Sequence, residues 1–395
     1  MKKALDGITI LDFSRVIAGP FFTMLLGDFG AEVIKVELPG GSDDTRGWIP
    51  PDINGESAYY LCANRNKKSL TVDLKTEEGK TIIKELAKKA DVVVENFKTG
   101  TMKKFGLDYD SLKETNPRLI YCSITGFGQT GPYASHPGYD YIVQAMSGLM
   151  SITGPKDGDP YKVGVAISDI MASLYAGMSV LIALQARKHT GKGQAIDISL
   201  LDCTIASLIN ITSNYLATNN PPQRLGNDHP NVVPYQTFKA SDDYLVIAVG
   251  NNLQFKRLAQ SIGRMELAID PKFETNEMRL RNREALTEIL SFEIQRKTVH
   301  EWLEIFNSNQ IPCSPINTID KVFKDPHVTE RGLLKKMNHP QLGEFAYVNN
   351  PIRLSDTPAG VYAHPPMLSE QTNEILINLG YTIEQIKQLK EKNIV

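Results

Sequence analysis

The first 128 residues of this 395-residue chain alternate between β-rich runs and helix-patterned runs, and this alternation constrains the fold more than any other feature. Strand-like sequence occupies five segments: 7–13, 31–37, 68–74, 91–97 and 119–128. Helical periodicity separates them, most clearly at 18–30, 77–90 and 108–116. Strands that alternate with helices are typical of a parallel sheet with helices on its faces. The sequence therefore predicts an α/β protein with a mostly parallel, doubly wound sheet that binds ligands at the carboxyl ends of its strands.

The first strand-to-helix turn limits the kind of ligand. It reads DFSRVIAGP and lacks the GxGxxG pattern, so it offers no glycine cradle for a dinucleotide pyrophosphate. Basic side chains near several strand ends still suit a nucleotide-containing ligand: Arg15, Arg65, Lys67, Lys68, Lys98, Lys103 and Lys104. The same lysines are equally typical of a solvated surface, so the residues leave both interpretations open.

Length and a polar linker predict the domain organisation. A chain of 395 residues exceeds the size of one ordinary hydrophobic core. The proline-containing segment 219–234 is the clearest boundary, and a compact set of one short strand and three helical segments follows it. We predict a large domain from 1–218, a smaller inserted α+β domain from 219–328, and a tail, 329–395, that returns to the large domain.

Charge and cysteine content exclude several classes of protein. Forty-three basic against 45 acidic residues give a net charge of −2, so we expect no nucleic-acid partner. The four cysteines have no metal-ligand spacing, and the N-terminus has no signal-peptide pattern, so we expect a cytoplasmic protein with reduced thiols and no metal. The apolar run 170–186 contains Ser173, Tyr175, Ser179 and Gln185, which favours a buried core helix over a membrane span.

Asp169 stands where an extended, glycine-containing segment, 161–168, meets this apolar run. An aspartate at such a place commonly caps the helix by accepting hydrogen bonds from its first free N–H groups. The same place also holds a carboxylate ionised and aimed outward, as a nucleophile requires. The segment alone does not decide between a cap and a nucleophile.

Six ordered blocks of sequence carry a family resemblance. They are LDFSRVIAGPFFTMLLGDFGAEVIKVE (11–37), ADVVVENFKTGTMKKFGL (90–107), LIYCSITGFGQTGP (119–132), YDYIVQAMSG (139–148), VGVAISDIMASLYA (163–176) and RKHTGKGQAIDISLLD (187–202). Together they resemble the class III coenzyme A transferases of the CaiB/BaiF type, which include the formyl-CoA:oxalate and carnitine CoA-transferases. Later blocks extend the resemblance over essentially the whole chain.

The resemblance implies a fold, an activity and a set of site residues. Its members have a Rossmann-like large domain, a small inserted domain and two interlocked chains, so it implies a homodimer. It implies transfer of CoA from an acyl-CoA to a free carboxylic acid, small or dicarboxylic, with CoA as a substrate and no cofactor. Asp169 matches the family nucleophile. The positions that contact CoA in the family correspond to Val16, Val72, Asn96, Phe97, Thr101 and Lys104.

Departures from the formyl-CoA transferases affect the phosphate contacts. Leu38 and Pro137 stand where those enzymes have an arginine and a lysine. The resemblance then leaves Arg15, Lys67, Lys98 or Lys104 to contact the CoA phosphates.

The acyl and acid groups have their own candidate residues. Trp48, in TRGW, either lines the acceptor pocket or covers a loop. Gly250, Asn251 and Asn252 stand where the oxalate enzymes carry a glycine-rich loop; this GNN run is otherwise an ordinary strand-end turn. His229 lies in a proline-rich hinge, which favours a structural role, and the same doubt applies to His136.

A 2-methylacyl-CoA racemase is the rival activity on the same fold. The racemases have a histidine in a GHD motif, whereas this chain has Gly138, Tyr139 and Asp140. Tyrosine is a poor base near neutral pH, so Tyr139 fits a positioning role or simple aromatic packing. A noncatalytic CoA-binding protein is a second alternative, and a carboxylate at the nucleophile position argues against it.

Overall fold

The computed structural model describes residues 3–395, and the chain divides into two compact units. The first unit takes in the chain through Met150, then Lys162–Asn220 and Thr329–Val395. The second unit is made of Ser151–Tyr161 and Pro221–Val328. The second unit thus begins with a short segment that the sequence prediction left in the large domain.

The described residues form the following strands: β1 (Thr9–Asp12), β2 (Glu32–Glu37), β3 (Asp52–Ile53), β4 (Glu56–Ser57), β5 (Lys67–Thr71), β6 (Val92–Glu95), β7 (Ile120–Thr125), β8 (Ala195–Ser199), β9 (Tyr235–Lys239), β10 (Tyr244–Ala248), β11 (Cys313–Pro315), β12 (Leu334–His339) and β13 (Gly343–Val348).

The α-helices are α1 (Pro20–Asp28), α2 (Ala58–Leu61), α3 (Glu77–Lys89), α4 (Thr101–Phe105), α5 (Tyr109–Lys113), α6 (Asp140–Met146), α7 (Leu149–Ile152), α8 (Ile167–Thr190), α9 (Leu200–Ser207), α10 (Ile209–Thr218), α11 (Asn252–Ser261), α12 (Asn276–Arg281), α13 (Arg283–Ile294), α14 (Val299–Ser308), α15 (Ile319–Val322), α16 (Pro326–Glu330), α17 (Thr372–Asn378) and α18 (Ile383–Glu391). Short 3-10 helices lie at Asp44–Gly47 and Met265–Ala268.

The first unit is built on a six-stranded sheet in the order β5-β2-β1-β6-β7-β8. Every neighbouring pair in it is parallel. Numbered along the chain, the order of these six strands is 3-2-1-4-5-6, the doubly wound order of the Rossmann fold. The structure therefore confirms the α/β class and the parallel sheet. The strand order reverses between β1 and β6, and a crevice at the carboxyl ends of these two strands is the usual ligand site of such a sheet.

Local sequence explains why these elements form. The β1 and β6 side chains are almost all buried, as parallel strands covered on both faces require. The α3 helix is capped by the Thr76 side chain, which accepts from the Gly79 N–H at 3.0 Å. Its first turn is acidic and its last turn is basic, which complements the helix dipole.

One strand of the sheet, β8, was not predicted. The β8 strand lies at the sheet edge beside β7, and three of its five residues are not fully buried. It therefore lacks the continuous apolar run by which a buried strand is recognised in a sequence. The five predicted strand segments and the α1, α3 and α5 segments all form, with ends shifted by a few residues.

The second unit has its own core. Antiparallel strands in the order β11-β10-β9 pack with α11, α13 and α14 around fully buried Leu245, Ile247, Leu258, Leu286 and Phe306. This is the smaller α+β domain that the sequence predicts.

The α8 helix is, among residues 3–395, the one helix that is long and apolar enough to cross a membrane by length and composition alone. In the first unit it packs against α1, α6, α9, β7 and β8. Core helices of folded proteins pass the same test of length and composition.

Candidate active site

The loops that leave β1 and β6 hold each other at the point where the strand order reverses. The Arg15 N–H donates to Asn96 Oδ1 at 2.9 Å, and Asn96 Nδ2 donates to the Arg15 carbonyl at 2.8 Å. The Arg15 guanidinium lies 5.3 Å from the centroid of the Phe97 ring. Four residues that the resemblance assigns to CoA, including Val16, therefore meet where a doubly wound sheet binds its ligand.

Val16 has a strained backbone. Its φ is 67°, in the left-handed region that β-branched residues rarely adopt. The surroundings hold it there, because the Val16 N–H donates to Asp43 Oδ1 at 3.2 Å and the preceding residue is fixed by Asn96. Strain of this kind costs about 1–3 kcal/mol and persists at sites where the backbone must be placed for a ligand.

Two buried ion pairs support this loop from below. Lys67 Nζ lies 3.0 Å from Asp12 Oδ2, and Lys35 Nζ lies 2.7 Å from Asp43 Oδ2; all four side chains have no exposed surface. Burial alone raises the pKa of Asp12, but the charges of Lys67 and Lys35 outweigh it and lower the pKa overall. Lys35 also donates to the Ser14 carbonyl at 3.0 Å, so the pairs tie β2 and β5 to the loop after β1.

This pairing corrects one prediction. Lys67 is committed to Asp12, and it also donates to the Pro20 carbonyl, so it is not available to a CoA phosphate. Arg65 is likewise buried and forms a two-pronged pair with Asp28, at 2.9 and 2.6 Å.

The other CoA candidates divide by exposure. Thr101 and Lys104 lie on α4, which begins directly after Gly100 in the segment that follows β6. The side chains of Lys98 and Lys104 are exposed. Val72 is fully buried in the core, so its side chain offers no surface to a ligand. Its assignment to CoA stays a prediction that this burial does not support.

Asp169 lies in the first turn of α8, two residues after the helix begins, and not at the cap position that the sequence suggested. The cap position belongs to Ala166, which has no side-chain acceptor. Asp140 on α6 supplies the acceptor instead, because the Ser168 N–H donates to its Oδ1 at 2.8 Å. Asp169 is thus released from the capping role and stays partly exposed.

Burial and the neighbouring negative charge of Asp140 raise the pKa of Asp169 to about 7. A carboxyl group with such a pKa is far more basic than an ordinary aspartate. Strong perturbation by burial and a specific charged neighbour is typical of functional carboxylates.

One aromatic side chain, that of Tyr59, interacts with this carboxylate. Tyr59 on α2 interacts electrostatically with Asp169 and Asp140, and its ring lies edge-on to Trp48 with centroids 5.0 Å apart. Burial, followed by the charge of Asp169, raises the pKa of Tyr59 to about 12, so the phenol stays neutral and able to donate. Tyr139, directly before Asp140, is 73% exposed.

Tyr59 is absent from the predicted site. Its sequence context, SAYYL, has no chemical signature, and only folding brings it from α2 to the start of α8.

The family model described as "CoA-transferase family III" matches residues 5–372. The chain belongs to CoA-transferase family III. It is 46% identical to the succinyl-CoA:glutarate CoA-transferase of Mus musculus over 95% of this chain and 86% of that protein. It is 45% identical to a succinate–glutarate CoA-transferase of Agrobacterium fabrum over 97% of each chain.

Solved structures agree with the family. A CaiB/BaiF family protein from Brucella suis superposes with a TM-score of 0.84 at 45% identity, covering 96% of this chain and all of that one. The predicted family and the predicted enzyme class, a CoA-transferase, are therefore confirmed.

The GNN run of this CoA-transferase lies in the second unit and forms the start of α11. Asn251 Oδ1 accepts from the Gln254 N–H at 2.9 Å, and the Gly250 N–H donates to Gln254 Oε1 at 2.8 Å. Asn252 Oδ1 accepts from the buried Arg279 at 3.0 Å. The run therefore has the hydrogen bonds of a helix cap, and its part in oxyanion binding stays a prediction.

The histidines singled out in the sequence have packing roles in the structure. His229 Nδ1 accepts from the Asn231 N–H at 3.0 Å, and its ring lies 5.0 Å from that of Tyr235. The His136 ring lies 5.3 Å from that of Tyr133.

One group in residues 3–395 has the spacing of metal ligands: His339, His364 and Glu370. Its ring nitrogens are already engaged. His339 Nδ1 accepts from the N–H groups of Gln341 and Leu342, and its Nε2 lies 3.1 Å from the Pro365 carbonyl oxygen. A metal ion would have to displace these hydrogen bonds, so the arrangement favours a structural turn.

Proposed function

We propose that this enzyme transfers CoA from a dicarboxylic acyl-CoA, with succinyl-CoA as the first candidate donor, to a dicarboxylic acid such as glutarate. The observation that carries the proposal is the free, basic carboxylate of Asp169 at the start of α8 in a chain 44–46% identical to succinate–glutarate transferases. Relatives that act on oxalate or D-citramalate are 40% and 36% identical, which ranks these acids lower.

The proposed reaction has two symmetric halves. The Asp169 carboxylate attacks the thioester carbonyl, the C–S bond breaks, and CoA leaves as a thiolate with a mixed anhydride formed on Asp169. The thiolate then attacks the aspartyl carbonyl, the anhydride C–O bond breaks, and the donor acid is released. The acceptor carboxylate attacks the carbonyl of the resulting aspartyl-CoA thioester, and its C–S bond breaks to give CoA thiolate and a second mixed anhydride on Asp169. The thiolate then attacks the acceptor's carbonyl, the C–O bond to Asp169 breaks, and the new acyl-CoA leaves with the Asp169 carboxylate restored. No metal or redox cofactor takes part in these steps.

The residues around Asp169 fit these steps. The raised pKa of Asp169 gives a strong carboxylate nucleophile. The neutral phenol of Tyr59 can donate to an oxyanion at the aspartyl carbonyl, and Trp48 lies against it to wall the acyl pocket. Arg15, Val16, Asn96, Phe97, Thr101 and Lys104 would hold CoA at the carboxyl ends of β1 and β6.

We propose further that the enzyme is a homodimer. The α8 helix exposes an apolar stripe with helical spacing, made of Leu174, Met178, Leu181 and Ile182, each 44–58% exposed. The stripe borders an apolar groove of about 520 Å³ shared with α1. A contiguous apolar surface of this kind is typical of a protein interface, and the homodimer implied by the resemblance would cover it. Sedimentation at micromolar concentration is expected to give twice the chain mass of 43.9 kDa.

Trapping of the intermediate tests the mechanism. An acyl-CoA donor without acceptor is expected to leave Asp169 as an aspartyl-CoA thioester, because the second half-reaction cannot proceed. Hydroxylamine should convert it to a hydroxamate and borohydride should reduce it, each seen by mass spectrometry on one peptide spanning 163–187. Labelling of a different carboxylate in active enzyme would contradict the assignment of Asp169.

Substrate choice is tested by a matched panel. We expect succinyl-CoA with glutarate to turn over faster than with butyrate or oxalate, which differ in the second carboxyl group or in length. Faster transfer to the monocarboxylic acid would contradict a dicarboxylate pocket.

The racemase alternative gives a separate prediction. Tyr139 replaces the histidine base, so the enzyme should not exchange the α-proton of a 2-methylacyl-CoA in deuterated water. Mass spectrometry of the recovered thioester measures this exchange. Deuterium uptake as fast as CoA transfer would favour the racemase.

A further inference from the structure

Gln144 is a buried amide whose hydrogen bonds join Asp140 on its own helix to the segment before the proposed nucleophile. It lies on α6, one turn after Asp140, and has no exposed surface. Its Nε2 donates to Asp140 Oδ2 at 2.8 Å, and its Oε1 accepts from the Val163 N–H at 2.9 Å. Gln144 thus fixes the carboxylate of Asp140 and ties the strand-like segment before α8 to α6.

Asp140 passes this constraint on to α8. With Oδ2 held by Gln144, its Oδ1 accepts from the Ser168 N–H, one of the helix-start donors that have no partner within the helix. The residue after Ser168 is Asp169. The position of the nucleophile along and around the helix axis is therefore set by a cap that comes from another helix.

The same carboxylate places a negative charge beside Asp169. Two titratable side chains interact with Asp169 from neighbouring elements, Asp140 on α6 and Tyr59 on α2, and Tyr59 stays neutral below about pH 12. Tyr59 in turn interacts with Asp43 and Cys62. Asp140 is the charged group that opposes ionisation of Asp169.

We propose that Asp140 and Gln144 are positioning residues that cap α8 in place of Asp169 and keep its carboxylate basic enough to attack a thioester. This inference rests on the proposed role of Asp169. Repulsion from a fixed neighbouring anion raises the basicity of a carboxylate, and nucleophilic attack becomes faster as basicity rises. Gln144 contributes by holding Asp140 in the one orientation that serves both the cap and the charge.

The hydrogen-bond pattern allows a test that moves the charge and keeps the three shorter bonds, while the long contact from Gln144 Nε2 to the Val165 carbonyl, 3.5 Å, is lost. In the double variant D140N/Q144E, the new amide can still accept from Ser168 and donate to the new carboxylate, which can still accept from Val163. The negative charge moves from the side chain that caps α8 to the side chain of residue 144, whose amide lies 2.8 Å from Asp140 Oδ2 in the wild type. The single variant Asp140→Asn also removes the charge, but it sets two amide NH₂ groups against each other.

The readout is the rate of aspartyl-CoA thioester formation in a single turnover, measured from pH 5 to 9. Asp169 must be ionised to attack, so the wild-type rate should rise through a limb near pH 7. Taking the anion off the group that caps α8 weakens its repulsion of the Asp169 carboxylate, so the limb of the double variant should move down. The limb of Asp140→Asn, which loses the charge altogether, should move down by about half a unit or more, and both variants should have a lower plateau. Tyr59→Phe, which removes no charge, should leave the limb in place.

The outcomes separate the two proposals. An unchanged limb in the double variant, with Asp169 still labelled, would overturn the role of Asp140 and Gln144 and leave the function intact. Labelling at another carboxylate would overturn the assignment of Asp169 as the nucleophile, on which this inference rests. If the double variant does not fold, the carboxyl ¹³C shift of Asp169, titrated in the wild type and in Asp140→Asn, measures the same pKa. Equal midpoints would then overturn the inference.

Discussion

Replacing Asp169 with alanine is expected to abolish CoA transfer, by about 10⁴-fold or more, because loss of a covalent nucleophile removes the reaction path and not one contact along it. The fold should be unaffected. Asp140, and not Asp169, accepts from the N-terminal N–H of α8, so the variant keeps its helix cap. Steady-state turnover with succinyl-CoA and glutarate measures the first effect, and thermal unfolding measures the second.

The stability of this variant has a defined sign. The pKa of Asp169 in the folded protein, about 7, lies above the ordinary aspartate value of 3.8, so this group costs stability increasingly as the pH rises from 3.8 to about 7, and the full cost is present above pH 7. At pH 8 the alanine variant should therefore unfold at or slightly above the wild-type temperature. Asp110→Ala is the matched control, because Asp110 also lies in the first turn of a helix, in its case the short helix α5, and is exposed. It should retain activity within about twofold, as surface changes usually do. Near wild-type turnover by folded Asp169→Ala protein would contradict the mechanism.

Replacing Lys67 with methionine is expected to destabilise the protein by about 3–5 kcal/mol, because it leaves the carboxylate of Asp12 buried without its closest cation. The change also removes the donor to the Pro20 carbonyl. Urea unfolding at a fixed protein concentration measures the loss.

The adjacent lysine is the control for this change. Lys68 also bridges two carboxylates, Glu32 and Glu374, at 2.9 and 2.8 Å, but its side chain is 34% exposed. Lys68→Met should cost at most about 1 kcal/mol, the range of surface ion pairs. Equal losses for the two variants would show that burial of the Asp12–Lys67 pair does not govern its contribution.

The contrast between Lys67 and Lys68 shows which features of the sheet can be predicted from the sequence and which cannot. Apolar runs that alternate with helix-patterned segments indicate which parts of the chain become strands. The 3-2-1-4-5-6 strand order then places the ends of β1 and β6 side by side. Which lysine of the pair faces the interior depends on the face of β5 that each occupies. A polar strand start, KKSLT, carries no apolar alternation to reveal that face.

The candidate site divides in the same way. Asp169, Trp48 and Tyr139, together with Arg15, Val16, Asn96 and Phe97, are named from ordered motifs in the sequence. Tyr59 and Gln144 are not, and Asp140 enters only as part of the tripeptide at 138–140, because the significance of these three residues lies in contacts with residues that are distant along the chain. Asp140 lies 28 residues from Ser168 and accepts a hydrogen bond from its N–H.

The sequence by itself determined the α/β class, the small second domain, the family and the identity of the candidate nucleophile. These depend on periodicity and on ordered motifs, which are local properties of the chain. Only the tertiary structure shows that Asp169 is not the residue that caps α8. A helix start must satisfy its N–H groups, and only the packing of α6 against α8 shows that Asp140 satisfies one of them. The same packing leaves Asp169 half-buried beside a second carboxylate, where burial and repulsion raise its pKa to about 7, which suits the nucleophilic role proposed for it.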